Sequence, residues 1–206
     1  HYTYSPKRYS IRNMLLCSTN TLFHPFDTFS VLKGSRKHLK PAVGIMILAV
    51  AFCTRVFFIY NVHYPLVQLD PRDANILLEL AMMVLPVATF SLANYMIASI
   101  VGGESKLDEI FTANCFSMIP YVLTTIPLTV FSHIMSREEE GLFSFVIQAT
   151  SVIVVLLFVL NIYILNNYTV KKTLGVAILS LFTMVLMWIV VLMVLNSLPA
   201  LFRKFA

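Results

Sequence analysis

The 206 residues are 58% hydrophobic and only 12% charged, with a mean hydropathy of +0.81, whereas soluble domains hold about 45–50% apolar residues; no soluble fold of this length hides so much apolar surface. The net charge of +5 comes without any nucleic-acid-binding motif, so it reads as membrane topology and attraction to anionic lipid. Cys17, Cys53 and Cys115 lie far apart with no C-x-x-C pair, which predicts free thiols and excludes a cysteine-built metal or redox motif.

Residues 1–40 form a polar, basic segment without the apolar core of a signal peptide, so insertion is expected to use the first span itself. Tyr2, Tyr4, Pro6, Lys7 and Arg8 read as an extended arm, and Ile11, Met14, Leu15, Ser18 and Leu22 recur at helical spacing over residues 9–23. His24-Pro25 interrupts, because proline disfavours helix in the residue before it and suits the first turn of a new one. A second short helix over residues 25–38 puts Phe26 and Phe29 on one face, with Lys33, Arg36 and Lys37 following. Two readings stand: an interfacial helix with aromatics at the lipid boundary and cations at the headgroups, or a helix packed on protein. The spacing does not separate them.

A spanning helix needs about 20 mostly apolar residues, and five windows qualify: Pro41–Val62, Ala74–Val101, Ala113–Met135, Leu142–Leu165 and Leu174–Leu198, leaving residues 199–206 as a short tail. None shows the two-residue alternation of a membrane barrel, so an all-α, polytopic fold of five transmembrane helices is expected. With five spans, Lys7, Arg8, Arg12, Lys33, Arg36, Lys37, Lys40, Lys106, Lys171 and Lys172 share one side, against Arg72, Arg137, Arg203 and Lys204 on the other. Ten basic residues against four predict a cytoplasmic N-terminus and an outward-facing C-terminus.

The first span contains Arg55, which costs several kcal/mol if left alone in hydrocarbon and must pair, snorkel or face water. Counted from the outer span ends, Arg55 and Glu79 both lie about 8–10 Å deep, which makes an intramembrane ion pair between the first two helices one reading. Snorkelling of Arg55, with Glu79 at a wet helix end, is the other. Pro86 in the second span and Pro120 and Pro127 in the third each remove a backbone hydrogen bond and bend their helices, as packing devices or as hinges. Asn94, Gln148 and Asn161 are expected to hydrogen-bond across helices.

Between the second and third windows, Gly102 and Gly103 permit a left-handed helix ending, and Ser105 with Asp108 reads as a variant capping box. The following stretch, with Leu107, Ile110, Phe111 and Asn114 beside Asp108 and Glu109, is expected to lie at the cytoplasmic surface, either as a plain turn or as a docking site. Glu138, Glu139 and Glu140 read as a solvated turn, with too few oxygen ligands for calcium. There is no phosphate-binding loop, zinc helix or nucleophile elbow, so no enzyme, metal or cofactor is expected. The spans also do not divide into two equal repeats of the kind many secondary transporters show.

From about His24 to Leu198 the chain resembles the membrane domain of the Yip1 family. The resemblance rests on His24-Pro25-Phe26-Asp27-Thr28-Phe29, the Gly102-Gly103-Glu104-Ser105-Lys106-Leu107 turn, Pro120, and Ser132 through Glu140-Gly141-Leu142-Phe143, and is nearer to bacterial members than to eukaryotic ones. It implies five spans with a cytoplasmic N-terminus and carries no catalytic residue. Eukaryotic relatives act in vesicle trafficking with Rab-type GTPases; bacterial relatives often accompany carbohydrate importers of the ATP-binding-cassette type. The expectation is therefore a non-catalytic accessory or scaffold subunit of a bacterial plasma-membrane complex, in contact with lipid and with permease or other membrane subunits. Phe26, Asp27, Phe29, Gly102, Gly103, Glu104, Lys106 and Phe111 are the candidate partner contacts. A trafficking adaptor and an autonomous channel or carrier are the alternatives.

Overall fold

Apolar runs of 21 to 27 residues become helices here because hydrocarbon leaves the backbone no partner but itself. The computed structural model describes residues 29–30, 41–62 and 74–205, with residues 137 and 195–205 as backbone only. Its regular elements are α1 (Pro41–Asn61), α2 (Ile76–Val101), α3 (Leu107–Phe116), α4 (Ile119–Phe131), a short 3-10 turn (Arg137–Glu139), α5 (Glu140–Asn166) and α6 (Val170–Phe205). Five helical segments are long and apolar enough to cross a membrane, α3 and α4 together making the third, so the chain is an all-α membrane protein. The residues expected to form the amphipathic helices of the N-terminal segment lie outside the described residues, apart from Phe29 and Ser30.

The third span begins at Leu107, earlier than the Ala113 read from hydropathy. Asp108 and Glu109 made this stretch look like a surface helix. Instead α3 enters the bundle: Ile110, Ala113 and Asn114 are fully buried, and α3 packs against α1, α2 and α5. It ends at Ser117–Met118, where Pro120 lacks the N–H that would bond back to Phe116 and crowds that carbonyl, so the span restarts as α4. By contrast, Pro86 is held within a continuous α2. At the C-terminus, helix continues from Val170 through Phe205 and takes in the tail expected after Leu198.

Helix association in lipid rests on close packing rather than on a hydrophobic force between helices, which favours small residues at crossings. Gly44 of α1 is such a residue: a Cβ there would lie 3.2 Å from the Thr112 Cα of α3. Phe29 is also fully buried, in a cluster with Ile110, Ala113, Phe116, Ile119, Leu157 and Leu165. Its ring is thus enclosed by protein, while the rest of the segment expected as an interfacial or packed helix lies outside the described residues. Near the opposite end, Phe58 stacks on Phe143 at 6.3 Å between ring centres. The end of the bundle carrying Gly102–Lys106 and the α5–α6 link is termed the turn end, and the other the far end.

Because a larger side chain at residue 44 must push α1 off α3, Gly44→Leu is expected to destabilise the bundle by about 1–3 kcal/mol. A lower melting temperature of the detergent-solubilised protein checks this, with exposed Ile45→Leu as the unchanged control.

Candidate functional site

Among the described residues, two regions concentrate polar side chains. The first lies near the far end, where Arg55 sits six residues inside the end of α1, about 9 Å along the axis. Its Nε donates to Glu79 Oε2 at 3.0 Å, and both side chains remain partly exposed, at 30% and 21%. The guanidinium also lies over the Phe58 ring, 5.6 Å from its centre. Glu79 occupies the first turn of α2, behind an Asn75 cap whose Oδ1 accepts from the Leu77 and Leu78 N–H groups, so its carboxylate stands at the positive end of the helix dipole. Tyr121 of α4 brings its hydroxyl to Arg55 and Thr125.

This polar group lines a cavity of about 740 Å³. Apart from Ser151 its other walls are apolar, with Met83, Pro86, Val154 and Met184 among them. Phe90 of α2 and Phe158 of α5 meet edge to face at 5.4 Å and line it toward the turn end. One helical turn beyond, a buried polar chain ties three helices together. Asn161 Nδ2 donates to Asn114 Oδ1 at 2.6 Å, Asn114 Nδ2 to Ser91 Oγ at 2.7 Å, and Ser91 Oγ to the Val87 carbonyl at 2.6 Å.

Of the three amides expected to bond across helices, Asn161 does so and Gln148 is exposed. Asn94 is fully buried with neither amide atom hydrogen-bonded among the described residues. The central member, Asn114, lies in the stretch whose acidic residues point to a surface helix, which hides its linking role in the sequence. Its i, i+3, i+4 relation to Ile110 and Ala113 is the sequence signal that turns it inward.

The second region is the turn. Gly102 ends α2 in the left-handed conformation, φ 78°, and the Gly103 N–H donates to the Ala98 carbonyl at 2.7 Å. Gly103 is covered by the α5–α6 link: a Cβ there would lie 2.5 Å from Asn166 Oδ1 and 2.6 Å from the Tyr168 hydroxyl. Ser105 does not cap α3. Its hydroxyl and its N–H both donate to Asn166 Oδ1, at 2.6 and 3.4 Å, and the cap position passes to Lys106, whose N–H donates to Glu109 Oε2 at 3.2 Å. Lys172 Nζ donates to the Val101 carbonyl at 3.1 Å and lies 4.3 Å above the Tyr168 ring. Burial raises the Tyr168 pKa above its ordinary value. The stability tied to its proton is thus complete at neutral pH and is lost only as pH rises through that raised value.

Of the candidate partner contacts, Gly102, Glu104 and Lys106 are exposed. Gly103 is half-buried beneath Asn166 and Tyr168, Phe111 packs onto the cluster of Leu48, Val87 and Cys115, and Phe29 is enclosed. Phe26 and Asp27 lie outside the described residues. Cys53 and Cys115 are free thiols, and Cys17 likewise lies outside the described residues. Glu139 turns back to accept from the Ser136 N–H at 2.9 Å, giving the acidic triplet a local turn role. Among the described residues no group of three or more His, Cys, Asp or Glu gathers to hold a metal. Comparison with protein-family models, curated proteins and solved structures gives no match.

The half-buried ion pair sets up a double-mutant cycle. Arg55→Leu alone, leaving Glu79 unpaired in the membrane, is expected to cost about 1–3 kcal/mol, between the exposed and buried limits. Arg55→Leu with Glu79→Leu is expected to recover most of that loss, as read by thermal unfolding in detergent.

Proposed function

We propose that the chain is a non-catalytic scaffold subunit of a bacterial plasma-membrane complex, built like the Yip1-family domain it resembles, with its N-terminus cytoplasmic and its C-terminus outside. The observation that supports this best is the turn. Glycine packing, the Ser105–Asn166 bonds and the Lys106–Glu109 bond hold its backbone in place, while Glu104, Lys106 and Asp108 project outward with charges of both signs. A fixed backbone carrying exposed, opposed charges suits recognition, since little ordering is left to be done when a partner binds. Lys171 and Lys172 lie at the same end of the bundle, so the charge distribution along the chain favours the cytoplasm for this face. Lipid surrounds the apolar outer faces of the spans.

In this reading the complex is a carbohydrate importer of the ATP-binding-cassette type, and the turn contacts its permease or nucleotide-binding subunits. Among the described residues, the cavity at Arg55 and Glu79 is the feature that favours an autonomous carrier instead. Flux of sugar into liposomes holding the purified chain alone would decide for that reading.

Lys106→Glu combined with Glu104→Lys reverses the exposed charges while leaving the Lys106 backbone bond in place. This pair is expected to lower co-purification with importer subunits about tenfold with no change in thermal stability, in keeping with losing charged contacts worth 1–2 kcal/mol. Gly103→Ala, which drives a methyl group into Asn166 and Tyr168, is expected to lower both. Purification of the wild type as a lone particle, with sugar import unaffected by its deletion, would overturn the proposal.

A further inference from the structure

The charges of the cavity stand at one end only, with Ser151 and Tyr121 also on its lining, and its mouth lies at membrane depth. Arg55 and Glu79 stand near the far ends of α1 and α2, while Phe90 and Phe158 line the chamber toward the turn end. From Glu79 to Phe90 the α2 axis advances about 16 Å, and that length of wall is almost wholly apolar. Met82, Val155 and Leu181 also line the chamber, yet they are 67%, 60% and 53% exposed. All three fall well within spans, so the surface they share faces hydrocarbon rather than water. The chamber is thus open to the bilayer. A volume of about 740 Å³ falls within the range of small-molecule sites.

The ion pair defines the polar part of the ligand. Glu79 takes the Nε–H of Arg55 through Oε2 and the Tyr121 hydroxyl meets the same guanidinium, which with five N–H donors still has others to offer a second acceptor, while Oε1 can take a donor. Both side chains are partly exposed. A group presenting a phosphate to the arginine and an ammonium to the glutamate fits this pair without unbalancing its charge, whereas a purely anionic group meets Glu79 as a like charge. The depth of the pair, about 9 Å inside the end of α1, sets such a headgroup at the inner edge of the interfacial zone with its chain running toward the bilayer centre.

We propose that the chamber between α2, α5 and α6 binds one zwitterionic phospholipid bearing a primary ammonium group, its headgroup on Arg55 and Glu79 and an acyl chain along Met83 and Pro86 to Phe90 and Phe158. This site is independent of the scaffold role at the turn and stands or falls separately from it.

The test uses the full chain in nanodiscs of phosphatidylglycerol containing a trace of phosphatidylethanolamine with a diazirine in its acyl chain, or a trace of the matching diazirine phosphatidylglycerol. The ethanolamine probe is expected to label α2 and α5 residues of the chamber, and unlabelled phosphatidylethanolamine to compete with it. Both probes should label the lipid-facing residues Ile178 and Phe182 alike. Leu181→Trp, a substitution at an exposed mouth residue, is expected to lower chamber labelling about tenfold and leave Ile178 and Phe182 unchanged; Glu79→Gln is expected to lower the preference for the ethanolamine probe by a similar factor. Equal chamber labelling by the two probes, or labelling insensitive to Leu181→Trp, would sink the proposal. So would efficient disulfide formation between Val155→Cys chains, which would assign the chamber to a second copy. Should Glu79→Gln fail to fold, Leu181→Trp and the competition experiment still decide the matter.

Discussion

Hydrocarbon supplies neither donors nor acceptors, so each polar group inside the spans must be met by another part of the chain. That constraint explains why α3 lies at the centre of the bundle. Asn114 accepts from Asn161 and donates to Ser91, so one side chain joins α2, α3 and α5. The short α3 fits there because Gly44 lets α1 approach it closely and Pro120 ends it before it would continue in line with α4. Arg55 and Glu79 satisfy the same requirement with charges. Asn94 stands outside it, buried with an amide that meets no partner among the described residues.

Long apolar runs made the spans legible, since their length is a direct consequence of bilayer thickness. Depth counting also brought Arg55 and Glu79 to one level, because helix rise is nearly constant. Properties that depend on contacts between distant segments were harder to read. Asp108 and Glu109 suggested a surface helix, yet Glu109 folds back on the Lys106 N–H and the apolar positions behind it drive α3 inward. Ser105 had the composition of a cap, but Asn166, 61 residues further along, takes its hydroxyl. The spacing of Phe26 and Phe29 does not separate lipid from protein, and only the assembled bundle shows Phe29 enclosed. The chamber has no local signature at all: its lining is drawn from α1, α2, α4, α5 and α6, with the Phe90–Phe158 ring pair among it.

The two polar regions have opposite mechanical characters. At the turn end, glycine contacts and crossed hydrogen bonds between the α2–α3 turn and the α5–α6 link leave the backbone few alternatives. At the far end, flexible methionines surround an open space beside a charged pair. Helix α2 belongs to both, carrying Glu79 in its first turn and Gly102 immediately after its last. It also carries Pro86, which leaves one backbone carbonyl without its usual N–H partner along the stretch between them.

The order in which these interactions become available follows from their places along the chain. Arg55 and Glu79 belong to consecutive spans, so the arginine can be neutralised as soon as one hairpin has entered the bilayer. Asn114 must wait for α5, two crossings after α2, to present Asn161. Charge is thus settled early in biogenesis and the neutral amide late, and the insertion machinery never has to hold an isolated cation in lipid for longer than it takes to synthesise the next helix.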